Sequence, residues 1–173
     1  SDDAFIRILN NIRNNCCAET DLTHLHSYYK PGFSAEQKDN YITLTTHNDK
    51  AIAINNTELR KLPDKLYQFK AEIGGEFNER SFPGEELLQL KKGAQVMFIK
   101  NDSGENRRFY NGKIGLIHSI DEKRIQIKFS NETSLLTLEK ETWKNIRYHY
   151  HREKDKIEEE ELGTFTQYPL RLA

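Results

Sequence analysis

Residues 90–102 read LKKGAQVMFIKND, and residues 109–117 read FYNGKIGLI. Each segment contains a short apolar run, and a polar, basic stretch that ends in Asn111-Gly112 connects the two runs. An Asn-Gly pair favours a sharp turn because both residues tolerate positive φ. The two runs are therefore predicted to be buried strands joined by a basic turn.

More short strands are predicted after this pair. Residues 124–129 alternate apolar and polar side chains, residues 135–138 form another apolar run, and turn-forming residues separate them at 121–123 and 131–132. Short strands at this spacing are typical of a small antiparallel barrel. The second half of the chain is therefore predicted to be all-β.

The first half has a different pattern. Apolar residues recur at helical spacing between Phe5 and Ile12, a second helical segment begins at Thr20-Asp21, and residues 51–62 predict a third helix that ends before Pro63. Residues 41–46, YITLTT, predict a strand because β-branched side chains dominate it. A strand that leads into a helix is half of an α/β crossover, and the turn-rich residues 74–84 suggest a domain boundary near Leu87.

Composition excludes several protein classes. Among 173 residues, 36% are hydrophobic and 31% are charged, which predicts a folded chain rather than a disordered or membrane-spanning one. The net charge of -1 argues against a protein that coats nucleic acid, but residues 87–129 are basic and contain nine Lys or Arg and four Asp or Glu. Residues 152–161 are acidic and predict a solvated connector. The adjacent Cys16 and Cys17 favour free thiols and a cytoplasmic location.

Two segments are candidates for binding anions. Thr46-His47-Asn48-Asp49 lies between the predicted strand and the third helix, where free amides and the helix dipole attract anions; simple capping by Asn48 or Asp49 is the more frequent alternative. In the basic turn, cations could hold phosphates and an aromatic ring could stack on a base; the alternative is that Phe109 and Tyr110 pack internally. The candidates in this turn are Arg107, Arg108, Tyr110, Asn111 and Lys113.

No catalytic, nucleotide-binding or metal site is predicted. Gly112-Lys113 is not a phosphate loop, because no glycine stands five residues earlier and Ile114 replaces the Ser or Thr that would bind magnesium. Asp121-Glu122 is predicted to be a hairpin turn rather than a magnesium site. His24 and His26 point to opposite sides of a helix and are not expected to bind one metal ion. His149 and His151 are predicted to be a solvated pair.

These motifs resemble the second motor domain of the Pif/RecD-like superfamily-one DNA helicases. The likeness rests on the lysine-glycine turn, the strand that ends in Asn101-Asp102, the following Asn-Gly-x-x-Gly, and the segment from Ile42 to Asn48 with Ala51 and Asn55. Residues 3–13 resemble the helix after the family's fourth motif, and residues 162–173 resemble the return into the motor domain. The resemblance extends over essentially the whole chain.

The resemblance implies a fold with two parts. It is a partial RecA-like α/β domain with an inserted small SH3-like β-barrel: residues 1–86 in the motor domain, 87–159 in the barrel and 160–173 in a return strand. It also implies that the corner before the third helix grips single-stranded DNA, which makes Thr45, Thr46, His47 and Asn48 candidate contacts.

The implied function is that of a fragment of an ATP-dependent 5′-3′ DNA helicase, which binds single-stranded DNA and braces the duplex junction in DNA repair and recombination. ATP and Mg²⁺ would act in the parent protein, an ATP hydrolase, whereas this chain alone should be inactive. Its expected partners are single-stranded DNA or a duplex junction and the parent's first motor domain, with no membrane. The alternative is a stand-alone SH3-like module that binds protein or nucleic acid without motor activity.

Overall fold

The computed structural model describes residues 3–33, 42–104, 106–151 and 155–173. Contacts divide the chain into two units, residues 1–41 and 42–173. The first unit contains two helices, α1 (Asp3–Arg13) and α2 (Glu19–His26). A hydrogen bond of 2.9 Å from Asn11 Nδ2 to Asp21 Oδ2 joins them, and the backbone amide of Ala18 donates to the same carboxylate. Both helices were predicted from apolar spacing.

In its described residues, the second unit contains one α-helix followed by ten strands. The helix is α3 (Asn48–Lys61), and a short 3₁₀ turn lies at Glu79–Ser81. The strands are β1 (Tyr67–Lys70), β2 (Glu72–Gly75), β3 (Leu87–Leu90), β4 (Gln95–Phe98), β5 (Ile114–Ile120), β6 (Ile125–Lys128), β7 (Leu135–Leu138), β8 (Glu141–His151), β9 (Lys156–Gln167) and β10 (Leu170–Leu172).

The strands form three antiparallel sheets. The largest has the order β10-β4-β5-β6-β7, a second pairs β1 with β3, and a third has the order β2-β9-β8. The predicted strands of the all-β half are confirmed as β4 to β7. The closed barrel is not seen, because β7 and β10 are the two edges of an open sheet and no ladder joins them in the described chain. The fold is therefore mixed α/β with open sheets.

One hydrophobic core joins α3 to the sheets. Leu59 of α3 and Phe69 of β1 pack into the same buried cluster as the inward residues of β3 to β7 and β10. Asn55 Nδ2 donates to the carbonyl of Leu172 at 2.9 Å, which ties the middle of α3 to β10. The sequence suggested a boundary between domains near residue 87. The β1–β3 ladder pairs residues 67–70 with residues 87–90 and so joins the segments on the two sides of this position.

The long hairpin of β8 and β9 corrects one prediction. Glu158 to Glu161 were expected to form a solvated connector; they are exposed, as expected, but they belong to β9 and pair with Ile146 to His149 of β8. Cations of β8 offset their charge: Lys144 Nζ lies 2.7 Å from Glu161, and Arg147 lies 3.9 Å from Glu160. Cross-strand pairs of opposite charge favour an antiparallel ladder, which explains why this charged segment is extended.

Residues 42–46 correct another prediction. Tyr41 lies outside the described residues, and Ile42 to Thr46 form no strand. Leu44 is 90% exposed, and no neighbouring strand pairs with this segment in the parts that the structure describes. β-branched composition favours extended backbone, but a strand also needs a hydrogen-bonding partner.

Of the described helices, none combines the length and the apolar character needed to cross a membrane.

Candidate nucleic-acid interface

The first candidate surface, the α3 corner, consists of residues 45–48. His47 is the N-cap residue, with extended backbone at φ -134° and ψ 135°, and its side chain does not cap the helix. The Thr45 hydroxyl donates to the His47 carbonyl at 2.8 Å, and the Thr46 hydroxyl lies 2.8 Å from Nδ1 of His47. Capping by Asn48 or Asp49 is wrong, because both residues lie in the first helical turn.

The α3 corner suits an anion. The first amides of a helix have no acceptor within the helix, and the macrodipole places partial positive charge there. The side chain of the N-cap residue His47 makes no capping hydrogen bond, and Thr46, His47 and Asn48 are exposed while Thr45 is half-buried. All four predicted residues therefore lie together at one helix end that is accessible to a phosphate group.

The second candidate surface is the basic loop, residues 101–113, between β4 and β5. Asp102 holds this loop together, and its side chain is only 3% exposed. Its carboxylate accepts hydrogen bonds from the amide of Gly104 at 3.0 Å and from the amide and Nε of Arg108, both at 2.9 Å. The Arg108 hydrogen bond, assisted by the two backbone amides and opposed by burial, lowers the pKa of Asp102 from 3.8 to about 2.

The role of Asp102 in holding the basic loop was missed by the sequence reasoning. It was expected only to end β4 as a turn residue. The signal is the spacing Asp102-Ser103-Gly104, because an aspartate side chain commonly accepts from the backbone two residues later. The further bond to Arg108 depends on the path of the loop and leaves no pattern in the sequence.

The remaining residues of the basic loop divide into buried and exposed ones. Phe109 is 3% exposed and stacks on Phe98 with ring centroids 4.3 Å apart, so internal packing is confirmed for Phe109. Tyr110 is 60% exposed, and Arg107 is exposed with a positive φ of 40°. The exposed side chains are the ones available to a ligand.

The predicted Asn-Gly turn is present at the end of the loop. Gly112 has a φ of 92°, and the amide of Lys113 donates to the carbonyl of Tyr110 at 3.0 Å. The amide of Asn111 donates to Oδ1 of Asn101 at 2.8 Å, which fixes the turn against the end of β4. Asn111 itself is exposed.

Lys113 differs from the other cations because its ammonium group contacts the protein on several sides. Nζ donates to the carbonyl of Arg108 at 2.7 Å and to Oε1 of Glu132 at 2.6 Å. It also lies 3.6 Å from the ring centroid of Phe129, and the side chain is 16% exposed. In this state Lys113 therefore stabilises the loop.

The cations of the basic loop share one groove. This groove has a volume of about 370 Å³. It is lined by Asn106, Arg107, Arg108, Lys113, Phe129, Glu132, Ser134, Leu135 and Leu136. The structure thus brings Arg107, Arg108 and Lys113 together, while Thr45 to Asn48 form a separate group on α3. In the described ranges no hydrogen bond or ion pair connects the groove to the α3 corner.

Metal-binding side chains do not converge in the part of the chain that the structure describes. No group of three or more His, Cys, Asp or Glu is placed to hold a metal ion there. Asp121 accepts from the amides of Lys123 and Arg124, each at 2.8 Å, which confirms the predicted hairpin turn. His149 and His151 are half-exposed and lie within 3.0 Å of Glu160 and Glu158.

Comparison with known proteins relates the chain to helicases. It is 32% identical over 127 residues to the human ATP-dependent DNA helicase PIF1, a match that covers 68% of this chain and 19% of that protein. The structure superposes with a TM-score of 0.84 on Pif1 from Bacteroides sp. in complex with ADP-AlF4, at 31% identity, covering 100% of this chain and 39% of that one. No protein-family model matches the chain.

A second solved structure adds a ligand. Bacteroides Pif1 bound to single-stranded DNA superposes with a TM-score of 0.69 at 30% identity, over 100% of this chain and 38% of that chain. The chain thus spans about a fifth of the human protein and under two fifths of the Bacteroides one. The agreement of sequence and fold over this segment assigns the chain to the Pif1-like DNA helicases.

Proposed function

We propose that this chain is the DNA-binding segment of the second motor domain of an ATP-dependent 5′-3′ DNA helicase. In this proposal the α3 corner and the basic loop hold single-stranded DNA. The five-stranded sheet corresponds to the family's SH3-like insertion and, with the β8–β9 hairpin, braces the duplex junction. The division into 1–86, 87–159 and 160–173 belongs to the same proposal.

The observation that carries the proposal is the start of α3, where the side chain of the N-cap residue His47 makes no capping hydrogen bond. A phosphate at this end would accept hydrogen bonds from the first amides of the helix, which receive no acceptor from the His47 side chain, and it would benefit from the helix dipole. Thr46 and His47 add exposed polar groups beside these amides. A backbone phosphate satisfies such groups without any dependence on base sequence, as a translocating motor requires.

The basic loop supplies the second part of the proposed site. Arg107 and Arg108 present guanidinium groups at the groove, and Tyr110 offers an exposed ring on which a base can stack. Stacking and phosphate contacts are the sequence-independent terms in single-strand binding. Asn111 adds an exposed amide at the same turn.

ATP and Mg²⁺ belong to other parts of the proposed parent. The Gly112-Lys113 pair fits no nucleotide phosphate loop, since it forms the turn before β5 and Lys113 is bound to Arg108 and Glu132. Nucleotide would supply the energy for translocation when bound between this segment and the first motor domain. The role proposed for the residues of this chain is to hold the strand.

Fluorescence anisotropy with a labelled oligothymidylate tests the proposal. About three phosphate contacts would weaken binding roughly 10- to 20-fold when salt rises from about 50 to about 200 mM. His47→Ala should weaken binding at both salt concentrations, whereas His118→Ala, an exposed histidine on β5, should not. Affinity that is independent of salt, or equal effects of the two substitutions, would contradict the proposal.

A stand-alone interaction module is the second candidate, and one observation favours it. The β8–β9 hairpin exposes Tyr148, Tyr150 and Ile157 by 60% or more, and these residues lie on one face of the ladder. Exposed aromatic side chains are frequent in protein-binding surfaces. A chain that fails to bind DNA at low salt would favour this candidate.

A further inference from the structure

Of the described residues that line the groove beside the basic loop, one is acidic and three are cationic. Glu132 lies on the turn between β6 and β7, and Arg107, Arg108 and Lys113 line the same groove. Phe129, Leu135 and Leu136 give it an apolar wall. A groove with excess positive charge and an apolar wall matches a nucleotide unit, which has an anionic phosphate and a flat base.

The most buried of these cations already holds an anion. Lys113 Nζ lies 2.6 Å from Oε1 of Glu132, and the side chain of Lys113 is 16% exposed while that of Glu132 is 42% exposed. The other contacts of Nζ are the carbonyl of Arg108 and the ring of Phe129. Among the contacts of this ammonium group with described residues, the Glu132 carboxylate is the one charged group, and it belongs to a flexible, solvent-accessible side chain.

We propose that Glu132 occupies the position at which the groove binds a phosphodiester group, so that single-stranded DNA replaces the Glu132 carboxylate on Lys113. This inference rests on the proposed function and specifies one phosphate subsite of that DNA surface. Lys113 is the phosphate-binding residue of the subsite, and Glu132 is an internal competitor.

The exchange is physically accessible. A carboxylate and a phosphate both accept short, charge-assisted hydrogen bonds from an ammonium group. The Glu132 carboxylate can return to water when it leaves Lys113, and a phosphate replaces its charge on the ammonium group, so replacing Glu132 costs little. Arg107 and Arg108 line the same groove and can hold the adjacent phosphates of the strand, while a base can contact Leu135, which is 40% exposed.

The decisive variant is Glu132→Gln, which keeps the size of the side chain and removes its charge. We expect the affinity for labelled oligothymidylate at low salt to rise about three- to tenfold, because the competitor no longer neutralises Lys113. The gain should shrink as salt increases, since counterions screen the same charges.

Glu122→Gln is the matched control. Glu122 is an exposed residue in the turn after β5, and β5 leads from Lys113 to that turn, a distance of roughly 20 Å at about 3.3 Å per residue. The substitution changes the net charge by the same amount. It should therefore change the affinity for DNA less than twofold.

A double variant separates local competition from general charge. Lys113→Gln combined with Glu132→Gln should lose the gain of the single variant, because the proposed phosphate ligand is absent. Thermal unfolding of each variant shows whether the loop remains folded. A gain that persists without Lys113 would overturn the proposal.

The possible outcomes also distinguish this inference from the proposed function. If the wild-type chain binds DNA with a steep salt dependence and Glu132→Gln behaves like Glu122→Gln, or binds more weakly, the subsite is wrong while the DNA-binding function stands. If neither the wild type nor Glu132→Gln binds DNA at low salt, both are wrong. A selective gain in Glu132→Gln supports both.

Discussion

Oδ2 of Asp102 lies 2.9 Å from Nε of Arg108 and accepts the backbone amide of the same residue, also at 2.9 Å. One carboxylate therefore fixes both the backbone and the side chain of Arg108. Because Arg107 and Arg108 line the groove, the shape of the proposed DNA surface depends on a residue that is itself buried and cannot contact DNA.

Asp102→Asn should destabilise the chain by about 1–3 kcal/mol, because hydrogen bonds to a charged group are lost in a largely buried site. Chemical denaturation measures this change. The control is Asp121→Asn, since Asp121 also accepts two backbone amides but has no guanidinium partner and is exposed. Equal losses in the two variants would show that the Arg108 bond contributes nothing.

The pH dependence of stability should reveal Asp102. Its pKa in the folded chain is lowered from 3.8 to about 2, so its contribution is fully present above pH 3.8 and is lost as the pH falls towards 2. The difference in unfolding free energy between wild type and Asp102→Asn should shrink over this range. Denaturation curves at several pH values test this, and a constant difference would contradict it.

Gly163→Ala should disrupt the packing of β9 on β2. A Cβ atom at residue 163 would lie 2.5 Å from the carbonyl oxygen of Glu76 and 2.7 Å from that of Gly74. Backbone must move to admit it, and we expect a cost of about 1–3 kcal/mol. Gly84→Ala is the control, because its nearest neighbour is the flexible end of Ile99 at 3.0 Å, and it should cost clearly less.

Arg107→Gln tests the basic loop without breaking the Asp102 pair. If the Arg107 guanidinium contacts one phosphate, the slope of log affinity against log salt should become shallower by about 0.7. Lys123→Gln removes the same charge from the exposed turn after β5 and should leave the slope unchanged. The melting temperature should not change in either variant, because both side chains are exposed.

Local patterns in the sequence were sufficient to predict much of the fold. Alternation at Ile125, Ile127 and Phe129 predicted β6, and the apolar run before Asn101-Asp102 predicted β4. Both patterns arise because one face of each strand packs into the core, so they are visible in a single sequence. Helical spacing also predicted α1 and α3, although the described structure buries only Ile8 of α1 and Leu59 of α3.

The errors concern features that depend on distant partners. Residues 42–46 have the composition of a strand but pair with no described strand, whereas Glu158 to Glu161 have the composition of a solvated segment but pair with β8. Barrel closure likewise depends on the two edge strands rather than on any one segment. Local preference cannot reveal whether a hydrogen-bonding partner exists elsewhere in the chain.

The sequence predicted the position of the candidate site more accurately than the contacts within the site. The exposed positions of Arg107 and Tyr110 agree with a binding role, which remains a prediction. The engagement of Lys113 with Glu132 could not be foreseen, because the two residues are 19 positions apart and meet only when β5, β6 and β7 are adjacent. Buried Asp102 was overlooked because its bond to Arg108, six positions later, depends on the path of the loop.

The contacts that residues 167–172 make with residues far earlier in the chain have a consequence for biosynthesis. Leu172 bonds to Asn55 across 117 positions, and Gln167 bonds to Phe69 across 98. The core of residues 42–173 cannot be completed until residue 172 has left the ribosome, so the apolar strands β3 to β7 remain incompletely covered on the nascent chain. Because contacts so distant in sequence also slow folding, we expect this segment to require protection by chaperones during translation.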